Sequence, residues 1–135
     1  MSAAEEVGAG PPIGHGQAAR LLAGLVDKSL VQAEDSFTGT RYRLLEAVKA
    51  FALEQLMASA ELEEIRARHG TYFADLGERA ASRLHGRDQG RWASRLDQDQ
   101  ANLRAASQWC TADPARAVHG LRMAAGLWGT GSFAD

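Results

Sequence analysis

A chain of 135 residues, 45% hydrophobic and 24% charged, is one ordinary domain or two very small ones, which excludes a large enzyme and limits the core to a modest size. The formal net charge of −2 gives no overall attraction to nucleic acid or acidic lipid, so any DNA contact has to be local. The only cysteine, Cys110, excludes an intrachain disulfide, and no apolar run approaches the roughly 18 residues of a membrane span, so a cytoplasmic protein is expected.

In chain order, residues 1–16 are dense in glycine and proline and read as a flexible arm with at most a remnant helical turn near residues 3–7. The opening lacks the basic end and apolar block of a signal peptide. From Gln17 the positions Ala18, Leu21, Leu22, Leu25 and Val26 follow helical spacing, ending near Lys28. Two short alternating runs around the polar tip Ser36-Phe37-Thr38-Gly39 then predict a β-hairpin, followed by a helix whose stripe is Leu45, Val48, Phe51, Ala52 and Leu56.

Ser59 ahead of Glu61 and Glu63 predicts the start of a longer helix with Leu62, Ile65, His69, Tyr72, Phe73, Leu76 and Ala80 on one face. After Gly86 a helical stretch carries Trp92, Leu96, Leu103, Ala106, Trp109 and Cys110, either as one helix or as two broken near residues 97–102. Asp113-Pro114 is a cap with proline at the first helical position, opening a last helix with Val118, Leu121, Ala124, Ala125, Leu127 and Trp128 facing one way, ended by Gly129, Thr130 and Gly131. The fold class read from this order is mainly α: a partial winged helix of helix, β-hairpin wing and helix over residues 17–57, then an antiparallel array of helices over residues 58–135.

Little in the sequence points to catalysis. There is no GxxxxGK[ST] phosphate loop, and Gly14-His15-Gly16 lacks the second half of a dinucleotide fingerprint. The four histidines, His15, His69, His85 and His119, fall on separate elements without metal-ligand spacing or a nucleophile beside them, so no cofactor, metal or catalytic residue is expected. His69, on the apolar face of its helix, reads as a packed side chain, and Trp92, Trp109 and Trp128 read as core rather than as a base-stacking platform.

Binding is the remaining function. Arg20 and Lys28 on the candidate recognition helix and Arg41 and Arg43 on the hairpin could meet DNA or another domain. Asp27, Glu34 and Asp35 dilute them, so direct DNA binding ranks below an interdomain contact and below a solvated face. At the other end Leu121, Leu127 and Trp128 form a candidate surface for a partner protein or a second copy.

Four strings in order, LLAGLVDKSLV (residues 21–31), RYRLLEAVKAFALEQL (residues 41–56), RARHGTYFADLGERA (residues 66–80) and DQGRWASRLDQDQANLRAASQW (residues 88–109), resemble the winged-helix domain and following TPR-like helices of bacterial STAND-class, NB-ARC-like ATPase regulators of LuxR or AfsR/SARP type. The resemblance implies a segment that docks on an ATPase core and further helical repeats, with the repeats sensing a signal. In related eukaryotic and plant proteins a Met-His-Asp motif follows the wing; here Leu44, Leu45 and Glu46 stand there, so no nucleotide-binding residue is carried over. The family's Asp-Asn-Leu-Arg string reads Ala101-Asn102-Leu103-Arg104. By the same resemblance AAEEVGAG (residues 3–10) corresponds to the second helix of the winged domain. The first helix and the ATPase core would then precede residue 1, and a further repeat helix would follow Trp128. Two alternatives stand beside this reading: a free-standing winged-helix DNA-binding regulator and a plain helical interaction module.

Overall fold

The computed structural model describes residues 2–128. Within them the chain forms α1 (Ala3–Gly8), α2 (His15–Asp27), an antiparallel hairpin of β1 (Val31–Ser36) and β2 (Gly39–Leu44), α3 (Glu46–Ala58), α4 (Leu62–Arg83), α5 (Gln89–Gln98), α6 (Gln100–Thr111), a 3-10 turn (Pro114–Arg116) and α7 (Ala117–Trp128). It is a mainly helical protein with one winged-helix-like hairpin. Two compact units divide it, Met1–Ile65 and Arg66–Asp135, so that the first turn of α4 belongs to the first unit and the rest to the second.

In the first unit the segment read as a flexible arm is folded. Ser2 and Glu5 make a reciprocal capping box that satisfies two orphan N–H groups of α1, and the backbone hydrogen bond to the Ser2 amide holds the Glu5 carboxyl below its ordinary range. Gly10 and Ile13 then pair as an isolated bridge, and α2 starts at His15, two residues before the predicted start. Ser29 at φ 59° turns the chain out of α2 into β1. The hairpin register pairs Val31 with Leu44 and Ser36 with Gly39. Gly39 at φ 126° supplies the backbone conformation that the two-residue tip needs, while the Ser36 hydroxyl donates to its carbonyl at 2.7 Å.

This unit buries little. Ala9, Ala18 and Val31 are its buried apolar residues, and no residue of α3 is fully buried. The stripe on α3 is largely uncovered: Phe51 is 63% exposed and Leu45 also faces solvent, with Val48 and Leu56 half-buried. Amphipathic spacing states which side of a helix seeks cover, not whether cover is present.

The second unit has a conventional core. Phe73, Leu76 and Ala80 of α4 meet Leu96, Leu103, Ala106, Cys110, Met123 and Leu127 as its buried side chains. Ser59 is the C-cap of α3 rather than the start of α4: its hydroxyl donates to the Leu56 carbonyl at 2.9 Å, and Ala60 at φ 62° reverses the chain. The choice between one helix and two after Gly86 resolves as two, broken at the buried Asp99. Asp113 caps the following turn by accepting from the Ala115 amide at 2.9 Å, with Pro114 at the first position as expected.

Close helix packing in this unit depends on glycine. Gly126 of α7 lies directly against the Gly77 carbonyl of α4, where a Cβ would overlap it, and a Cβ on Gly77 would come within 2.7 Å of Met123 Cγ. Gly70 lies under the Trp109 ring in the same way. The rotation of α7 is thereby set: Met123, Gly126 and Leu127 point inward, and Val118, Leu121 and Trp128 point out. This corrects the single face predicted for α7, and it corrects Trp128 as a core residue, since it is 89% exposed. The stop assigned to residues 129–131 lies outside the described residues.

Candidate interaction surfaces

The hairpin and α2 hold the four cations that the sequence marks for DNA or interdomain contact. Arg20 is exposed midway along α2, while Lys28 is the C-cap residue of α2, where a cation complements the negative end of the helix dipole. On the hairpin Glu34 stands opposite Arg41, and its carboxylate pairs diagonally with Arg43 at 3.4 Å. Both partners of that pair are more than half exposed, so it adds little stability, but it lowers the net positive charge of the wing. Thr40 donates to Asp35 at 3.0 Å, and the tip presents Phe37 at 81% exposure. The four cations are thus spread over one helix, its cap and one strand.

Charge separates the two units. Residues 1–65 hold five Lys and Arg against ten Asp and Glu, a net of −5, whereas residues 66–135 hold ten Arg against seven Asp and Glu, a net of +3. The overall −2 conceals this split.

On α2, at the end of the hairpin and on α3, apolar side chains are left uncovered within the first unit: Leu21, Leu25, Leu44, Leu45, Phe51 and Met57 are all more than one-third exposed. In the second unit the large exposed apolar residues on α7 are Val118, Leu121 and Trp128, on one face of the helix. Leu127, which the sequence reading grouped with Leu121 and Trp128 as a partner surface, is only 2% exposed and belongs to the core, because the Gly77–Gly126 approach turns it inward.

A polar chain that the sequence reading missed joins α4 to the α5–α6 break. Arg95 donates to the Tyr72 hydroxyl at 3.1 Å and reaches the Asp99 carboxylate at 3.9 Å; Asn102 donates to Asp99 at 3.4 Å; and His69 Nε2 donates to Asn102 Oδ1 at 3.3 Å. His69 also packs on Phe73 with ring centroids 4.7 Å apart, which is the packed role read for it. The Asp99-x-x-Asn102 spacing was the available signal: it puts the two side chains one turn apart at a helix start. The arrangement ties α4 to α5 and α6. Among the described residues no group of three or more His, Cys, Asp or Glu is placed to hold a metal ion. Cys110 is buried, and burial pushes its thiol up, away from the reactive thiolate. No described helix is long and apolar enough to cross a membrane.

Comparison with known proteins gives one kind of relative. Over 85 residues the chain is 44% identical to the proteins named putative HTH-type transcriptional regulator Rv0890c, of Mycobacterium tuberculosis strain H37Rv, and putative HTH-type transcriptional regulator Mb0914c, of Mycobacterium bovis. The matched segment is 63% of this chain and 9% of each relative, so the chain spans a small part of the length of the regulators it resembles. No protein-family model matches the chain, and no solved structure matches it.

Proposed function

We propose that this chain is a non-catalytic, cytoplasmic segment of a helix-turn-helix-type transcriptional regulator and that it takes part in contact with DNA. The observation that carries the reading is the 44% identity over 85 residues to proteins bearing that name, supported by the helix, hairpin, helix order of residues 15–58. The sequence alone ranked DNA below an ATPase core as a partner; the names of the relatives favour the opposite order. A mobility-shift titration of the chain with duplex DNA at two salt concentrations tests it. A shift at about 50 mM salt that weakens steeply by about 200 mM supports the reading, and no shift at the lower salt rejects it.

A second reading rests on its own observation. The uncovered Leu21, Leu25, Leu45, Phe51 and Met57 of the first unit fit a winged-helix domain that docks on another part of a larger regulator, which for the STAND-type family it resembles is an ATPase core. The second unit would then be the first of the TPR-like repeats. Co-purification with the remaining parts of such a regulator, lost in Phe51→Ser/Met57→Ser, is the expected result for docking; unchanged co-purification would exclude this face.

A further inference from the structure

The first unit is poorly built to hold DNA: its net charge is −5 and its wing cations share the hairpin with Glu34 and Asp35. Counterion release from a duplex requires cations free to meet phosphates, and the place where they gather lies elsewhere. At the turn from α4 to α5, residues 79–91 contain Arg79, Arg83, His85, Arg87 and Arg91, all exposed, against the single acid Asp88.

Arg79 and Arg83 are one helical turn apart on α4, Arg87 lies in the turn itself, and Arg91 lies in the first turn of α5. Among the described residues none of these arginines has a carboxylate within ion-pair distance. The Nε of Arg79 donates to the Asp75 carbonyl at 3.2 Å, leaving its terminal nitrogens available. Of the acids just before the cluster, Glu78 is held by Arg122 at 3.1 Å, and Asp75 lies one turn earlier. Four arginines thus stand against Asp88 as the one acid within the cluster.

Asp88 is the N-cap residue of α5 and already places a carboxylate at that helix end, so the arginines around it, and not the helix end, are the groups that call for an anion. Every cation of this unit is arginine, whose planar fork takes phosphate oxygens in pairs.

We propose that the α4–α5 turn, through Arg79, Arg83, Arg87 and Arg91, is a phosphate-contacting surface for duplex DNA, and that the hairpin wing is not. The proposal rests on the reading of the chain as a DNA-contacting segment of a regulator and specifies which surface makes the contact. An acidic protein is the other polyanion that could sit there; the name that the relatives carry, HTH-type transcriptional regulator, is the reason for choosing the duplex.

The test is fluorescence anisotropy of the whole chain with a labelled duplex between about 50 and 200 mM salt. Arg83→Glu/Arg87→Glu should weaken binding by about tenfold or more and lower the salt slope by about 2, one for each lost phosphate contact. Arg41→Glu/Arg43→Glu should change affinity by less than about threefold and leave the slope in place. Because Arg83 ends a helix, Arg87→Gln/Arg91→Gln supplies a second pair that leaves α4 intact, with circular dichroism confirming the fold of each. Loss of binding in the wing pair with retention in both turn pairs overturns this surface while leaving the DNA reading standing. No binding by the unaltered chain overturns both. Binding to polyglutamate but not to duplex, abolished by the turn substitutions, overturns DNA and assigns the turn to an acidic protein.

Discussion

Gly77 and Gly126 fix how α4 and α7 meet, and a single methyl group at the contact tests that directly. Gly126→Ala forces a Cβ into the Gly77 carbonyl, and backbone cannot move aside as a flexible side chain can; the expected loss is about 3 kcal/mol or more in chemical denaturation, above the usual range for overpacking. Gly90→Ala meets open space on α5 and should be neutral or stabilising by up to about 1 kcal/mol. Phe73→Ala, at a site with almost no exposure, should cost about 3–5 kcal/mol by the same measurement. Two titratable residues add solution tests. The Glu5 carboxyl is held below its ordinary range, so its contribution to α1 is present above the ordinary carboxylate pKa and is lost as pH falls through its lowered value; Glu5→Gln should remove that acid-side dependence from the α1 amide signals. Cys110, buried with its thiol pushed up, should react with a thiol reagent in folded protein only at the rate of global opening.

At the scale of elements, the sequence was legible wherever local rules decide the outcome. Alternation around Ser36 to Gly39 located the hairpin, Asp113-Pro114 located the last cap, and the apolar spacing of Leu62 to Ala80 located the long α4. Legibility failed where the outcome depends on what another element presents. Val118, Leu121, Leu127 and Trp128 fall within a broad arc on a helical wheel, and only the glycine contact with α4 decides that Leu127 goes inside and Trp128 outside. Helical spacing marks the α3 stripe, yet it does not reveal that Phe51 and Leu45 are left exposed within the first unit. The capping box at Ser2 was missed because the glycines and prolines that follow α1 dominate its composition. The polar chain between α4 and the α5–α6 break offers a test at this scale: Asn102→Ala severs His69 from Asp99 and should cost about 1–2 kcal/mol, with faster amide exchange at the break itself.

Over the whole molecule the two units differ in the means by which they can bind. Residues 1–65 offer acidic charge, an exposed Phe37 and uncovered apolar side chains, which suit a protein surface; residues 66–135 offer arginine and a packed core, which suit a rigid anionic partner. The 85 matched residues make up 9% of each relative's length, and on the proposed reading one unit is held by other regions of a regulator while the other faces DNA. Neither use needs a catalytic group. Hydrogen–deuterium exchange of the full chain with and without duplex DNA at low salt locates the contact in one measurement. Slowed exchange across residues 79–91 and none across the hairpin, residues 31–44, is the expected result; protection confined to the hairpin and α2, or no protection anywhere, would contradict the α4–α5 turn as the contact.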